Sequence, residues 1–174
     1  MAATAADSVK RPDREALQQG YVEAWNAHDP DAVASFFTED ATYDDRGAAE
    51  VATGRAEIRD HAAAVMAGFP DLRFEVVRTA HGDRFSAAEW RAEMTHAGSY
   101  SGLAASGRKV VSEGVDVATL DDAGKVTHLV SHYDGAAIMR QLGLLPAHGS
   151  RPERALVRAV SLLRGARRIR PTRT

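Results

Sequence analysis

Apolar residues recur at helical spacing between Asp13 and Ala27, where Ala16, Leu17, Tyr21, Ala24 and Trp25 mark one face behind a Pro12-Asp13 start signal. His28-Asp29-Pro30 ends that helix, and Asp29 is placed to cap a second one. The stripe of the second helix is Val33, Phe36 and Phe37, and it precedes Asp40 and a short strand at Ala41-Thr42-Tyr43. Gly54 opens a third helix through about Ala67, with Ile58, Ala62, Val65 and Met66 on one side and Gly68-Phe69-Pro70 as its stop. From Leu72 onward the pattern turns to alternation. Leu72, Phe74 and Val76 alternate, and a reversal at His81-Gly82-Asp83 leads to a strand with Trp90, Ala92, Met94 and His96 on one side. Glu89, Arg91, Glu93 and Thr95 take the other side. After turns at Gly98, Gly102 and Gly107, alternation resumes from Lys109 to Leu120 and reverses at Asp121-Asp122-Ala123-Gly124-Lys125. The last strand runs to Tyr133, and a short helix closed by Gly143 and Pro146 follows.

Helices, then a long meander, then a final helix predict an α+β fold with a strongly curved antiparallel sheet wrapped around helices. Residues 13–146 form the domain, and residues 1–12 are expected to be flexible. Residues 147–152 read as a linker to an arginine-rich extension over 147–174. That extension reads either as a solvated tail or as a helix from Glu153 to about Leu163, with Ala155, Leu156, Ala159, Val160 and Leu163 on one face.

A chain of 174 residues suits one domain with room for a pocket. The absence of cysteine excludes disulfides, thiolate nucleophiles and cysteine-based zinc sites. No run approaches the roughly 20 apolar residues of a membrane span, and the first twelve residues lack a secretory apolar stretch. A cytoplasmic address is the resulting expectation. The net charge of −2 hides an asymmetry: residues 149–174 hold eight arginines against one acid, Glu153, a net +7, so the rest of the chain carries −9. Clustered arginines attract any polyanion, with no specific nucleic acid or membrane partner indicated. HExxH, GxGxxG and GxSxG patterns are absent, so metals, nucleotides and serine hydrolysis have no positive support.

His96, Gly98, Tyr100, Gly102, Ser106-Gly107-Arg108, Gly124-Lys125, Asp134 and Gln141-Leu142-Gly143 together resemble the SnoaL-like polyketide cyclases of the nuclear-transport-factor-like superfamily. The segment from Tyr21 to Asp45 resembles the opening helices of the same superfamily, so the resemblance spans about Arg14 to Pro146. It implies a half-cone enclosing a blind cavity, a homodimer through the outer sheet face, and cofactor-independent acid–base chemistry on a hydrophobic, carbonyl-bearing, polyketide-like molecule. The alternative implied by the same fold is a noncatalytic protein that binds a small ligand or a partner. In the cyclases, and in related epoxide hydrolases, the last strand carries a catalytic aspartate three residues before a second one. Here the second is Asp134, whereas the first position is Ser131. A hydroxyl does not replace a carboxylate in proton transfer, which favours the noncatalytic alternative. The arginine flanked by two acids of the epoxide hydrolases is matched only in part by Arg91 and Glu93.

Three residues are candidates for the chemistry. Asp116 aligns with a strand position that carries a cavity-facing histidine in the cyclases, and burial among apolar groups would raise its pKa toward neutrality. Alternation leaves its direction open, because Ser112, Gly114 and Asp116 share one side while Val111, Val115 and Val117 share the other. His96, the histidine that opens the family block, reads either as a group that polarises a carbonyl or as a satisfied core histidine. Asp134 is placed both as a family acid and as the cap of the final helix. Tyr43, Phe69, Trp90, Met94, Leu103 and Met139 are expected around the cavity. The family's parity puts Leu129, Ser131 and Tyr133 inside and leaves His128 and His132 outside. Asp44-Asp45 reads as the start of a loop or as a gate, with the loop preferred.

Overall fold

A computed structural model describes residues 13–168, with side chains through 163. The flexible N-terminus expected for residues 1–12, like residues 169–174, lies outside the described residues. Asp13 caps α1 (Arg14–Asn26) by accepting from the Glu15 and Ala16 N–H groups. Asp29 caps α2 (Pro30–Ser35) by accepting from Ala32, with Pro30 in the first turn, where its missing N–H costs nothing. Strand β1 (Phe37–Asp45) follows at once, then β2 (Glu50–Thr53), which alternation had not indicated, and α3 (Arg55–Gly68). Phe37, expected on the second helix, is instead the fully buried first residue of β1. The meander comprises β3 (Arg73–His81), β4 (Phe85–Thr95), β5 (Lys109–Leu120) and β6 (Val126–Tyr133), and α4 (Gly135–Gln141) closes it.

The six strands lie in the order β2-β1-β6-β5-β4-β3 in one curved, unclosed sheet. The expectation of a wholly antiparallel sheet needs correcting at one ladder, since β1 runs parallel to β6. The reason is topological. The β1–β2 hairpin is separated from the meander by α3, and a crossover of that length is what a parallel pair requires. Bulges at Val76/Arg78 and Thr119/Leu120 bend the long strands. The concave face then closes over α1, α2 and α3, with Trp25, Val33, Phe37, Ile58, Leu72 and Leu129 in one apolar core.

Pairing of β4 with β5 fixes which side of β5 faces inward. Ser112, Gly114, Asp116 and Ala118 lie opposite the inward residues Ala92, Trp90 and Ala88 and their neighbour Ser86, whereas Val111 and Val115 are 37% and 38% exposed on the outer face. Asp116 therefore points into the cone.

The extension forms a helix, α5 (Arg151–Arg168), that starts two residues earlier and runs longer than the pattern suggested. The Ser150 hydroxyl accepts from the Glu153 N–H, and the Glu153 carboxylate accepts in return from the Gly149 N–H, a reciprocal cap that explains its start. Among the described residues no helix is long and apolar enough to cross a membrane.

Candidate active site

Between the concave face and the helices lies a cavity of about 480 Å³, mostly apolar, with a few convergent polar groups. Gly114 is what gives it its floor. A Cβ there would stand 2.5 Å from Trp90 Cζ2 and 2.6 Å from the His132 carbonyl oxygen, so only glycine lets the indole lie across β5. From that position the Trp90 Nε1–H donates to Asp116 Oδ1 at 2.9 Å. Burial raises the Asp116 pKa to about 6, the hydrogen bonds of Ser131 and Trp90 hold it down in part, and the negative charge of Asp45 pushes it up again.

Asp45, the last residue of β1, forms a second polar group in the same cavity and is 4% exposed. Its Oδ1 accepts from the Ala48 N–H at 2.9 Å and its Oδ2 from the Tyr133 hydroxyl at 3.0 Å. Tyr133 is fixed by the loop after β1, because a Cβ at Gly47 would sit 2.2 Å from its ring. Burial, then Asp45, keeps the Tyr133 phenol far above the usual tyrosine range, so it remains a donor. His61, on α3, places Nε2 3.6 Å from Asp45 Oδ2 and Nδ1 3.7 Å from Glu50 Oε2. Glu50 is half exposed, so the His61 ring stands between the buried carboxylate and one in contact with water.

Tyr21 of α1 and Tyr43 of β1 add two phenols to the lining. Burial lifts both phenols well above their ordinary range, and Asp116 adds to the shift in each. The Tyr21 hydroxyl is buried, with the Trp25 side chain the group that acts on it as a hydrogen-bond donor, and it meets no acceptor among the described residues. A buried donor left open in this way is available to a ligand oxygen.

Of the residues expected around the cavity, Tyr43, Phe69, Trp90, Met94, Leu103, Ser131, Tyr133, Met139 and Asp116 all line it. His128 and His132 are exposed on the outer side of β6, as the parity implied. Two of the three candidate reacting groups do not reach it. β4 ends at Thr95, so the alternation does not carry through to His96. That residue is 2% exposed, accepts the Ser106 N–H at Nδ1, and packs 5.3 Å from the Phe69 ring, outside the cavity lining. Asp134 is exposed and caps α4 by accepting the Ala137 N–H at 2.9 Å. Arg91 lies on the outer face, ion-paired with Glu93 and Glu113, and has no part in the site. Asp45, expected to begin a loop, is instead a buried strand terminus, and the cavity also takes in Tyr21, expected only on the apolar face of α1, and His61, which no expectation named. The signal for His61 was present, since it falls on the apolar stripe of α3 between Ile58 and Ala62.

Residues 15–142 match the SnoaL-like polyketide cyclase family. The chain belongs to that family. No curated protein sequence matches this SnoaL-like chain. Among solved structures it is similar to AclR from Streptomyces galilaeus, with a TM-score of 0.68, 22% identity, and coverage of 88% of this chain and 96% of that one. A Catenulispora acidiphila protein with a ketosteroid isomerase-like fold gives a TM-score of 0.65 at 18% identity, over 77% of this chain and 96% of its own. SalBIII, an epoxide hydrolase/cyclase-like enzyme with a role in pyran ring formation in the polyether salinomycin, is 28% identical. Its TM-score is 0.59, over 69% of this SnoaL-like chain and 89% of that one.

Proposed function

We propose that this SnoaL-like protein is a cofactor-independent enzyme that removes and returns a proton next to a carbonyl of a hydrophobic, polyketide-like molecule, as in cyclisation or isomerisation. The observation that carries the reading is the presence of two unlike carboxyl groups in one apolar cavity. Asp45 accepts from the Ala48 N–H and the Tyr133 hydroxyl, and Asp116 is raised to about 6 by burial. Two carboxyl groups in one cavity with unlike hydrogen-bond partners divide the roles of base and acid.

Asp45 takes the proton from the carbon beside the carbonyl, and negative charge develops on the carbonyl oxygen. The open Tyr21 hydroxyl and the protonated carboxyl of Asp116 donate to that oxygen. A ligand that displaces water from the cavity raises Asp116 further, toward its donor form. The enolate carbon then attacks a second carbonyl, or recovers its proton at another carbon, and Asp45 gives the proton back. The role expected of His96, polarising that oxygen, passes to Tyr21 and Asp116, because His96 is not among the lining residues. Asp134 has no proton-transfer role in this scheme.

The serine at position 131, where the cyclases carry a carboxylate, favours a second reading in which the cavity only binds its ligand. Mass spectrometry of linear and polycyclic β-dicarbonyl compounds incubated with the protein in deuterated water separates the two. Enzyme-dependent deuterium uptake at the carbon between the carbonyls is expected. It should fall to background in Asp45→Asn and by about 10²–10³-fold in Asp116→Ala. Binding without uptake by the wild type would establish the ligand carrier instead.

A further inference from the structure

Leu156, Val160 and Leu163 of α5 fall at four- and three-residue spacing on one face of the helix, with Val157 beside them and Arg154 and Arg158 on the opposite side. These four apolar side chains are between 39% and 68% exposed, and among the described residues no other element packs broadly against the helix. The helix nonetheless has a formed start, secured by the Ser150–Glu153–Gly149 cap and by the approach of Arg140 to Glu153 at 3.7 Å. It carries six arginines and one acid along its 18 residues, against a remainder of the chain that is net acidic.

We infer that α5 is an interfacial helix that docks this protein on an anionic lipid surface. The combination of the two faces selects lipid over other polyanions. An acidic protein face or a nucleic acid would satisfy the arginines and leave the leucine and valine stripe in water. A lipid interface takes both, because the stripe sinks among the acyl chains while the arginine stems bend outward to the phosphates. The acidic body is repelled by the same surface, so contact falls to the helix and its neighbourhood. That neighbourhood is apolar too: Met139, Leu144 and Leu145, just before α5, are 37–47% exposed, and Met139 and Leu145 also line the cavity. A mouth with this rim, a few residues from a lipid-docked helix, suits a hydrophobic ligand that partitions into the bilayer.

Vesicle flotation with the full chain tests the inference, comparing phosphatidylcholine vesicles with and without phosphatidylserine. The wild type is expected to float with the anionic vesicles and to remain in solution with the neutral ones. Arg154→Gln/Arg158→Gln should weaken flotation by about tenfold or more, and Leu156→Ser/Val160→Ser/Leu163→Ser by at least as much. All these side chains but Val160 are well exposed, so the variants should keep the wild-type circular dichroism and thermal midpoint. Absence of flotation by the wild type overturns the inference. So does a leucine variant that floats as well as the wild type, or equal competition by duplex DNA, either of which assigns the helix to polyanions in general. Self-association lost in the leucine variant without any lipid binding would overturn it in favour of a second copy of the chain.

Discussion

Asp116 shows how a single residue couples stability to function. Its pKa is raised in the folded protein, to about 6 from an ordinary 3.8, so folding favours its protonated form. The stability it contributes is complete below the unfolded pKa near 4 and is lost as pH rises through about 6. Asp116→Asn removes the ionisation, and chemical denaturation at pH 7.5 should find this variant more stable than the wild type by about 1–3 kcal/mol. The difference should vanish below about pH 4. A wild type that is the more stable of the two at pH 7.5 would mean that Asp116 is not buried as described. His61→Gln tests the neighbouring group. If the ring passes the proton of Asp45 to Glu50 and water, turnover should fall about tenfold while ligand affinity holds, and imidazole should restore part of the rate. The sequence left the direction of Asp116 open for a physical reason. The inner side of β5 holds Ser112, Gly114 and Asp116 while Val111, Val115 and Val117 stand with Glu113 on its outer side, the reverse of an ordinary sheet, because the inner side faces a cavity floored by Trp90.

At the scale of the element, the hairpins and caps were legible because their signals are local. Asp13 and Asp29 cap the helices their positions announced, and β3 to β6 follow the alternation closely. Contacts between distant segments were not legible. Nothing local to Phe37 or Tyr43 indicates that β1 will lie parallel to β6, or that this pairing will bring Asp45 beside Ser131 and under Tyr133. Most of the site missing from the sequence reading is therefore the part assembled by that ladder and by α3. The β4–β5 ladder is tested by Gly114→Ala, whose added methyl meets both Trp90 and the His132 carbonyl. It should cost about 1–3 kcal/mol in denaturant unfolding and shift the Trp90 indole N–H resonance as the bond to Asp116 is lost. An unshifted resonance would show that glycine is not what seats the indole.

For the whole molecule, the family and the curved sheet over helices were readable from spaced glycines and the closing Gln141-Leu142-Gly143, whereas α5 was one of two readings beside a solvated tail, since arginine-rich tails carry little local signal for order. The outer face of the sheet leaves Val77, Phe85, Val111 and Val115 in water, and we propose that a second copy covers it. Sedimentation equilibrium should report a dimer that Val115→Glu shifts toward monomer, and a wild-type monomer at all concentrations would refute the pairing. The central claim is that the protonated carboxyl of Asp116 assists proton transfer inside the cavity. The pH dependence of kcat/KM for deuterium exchange, measured in the wild type and in Asp116→Asn, addresses it most directly. The account predicts a wild-type limb that falls as pH rises through about 6, and a lower profile without that limb in the asparagine variant, whose amide still donates. Superimposable profiles would contradict it.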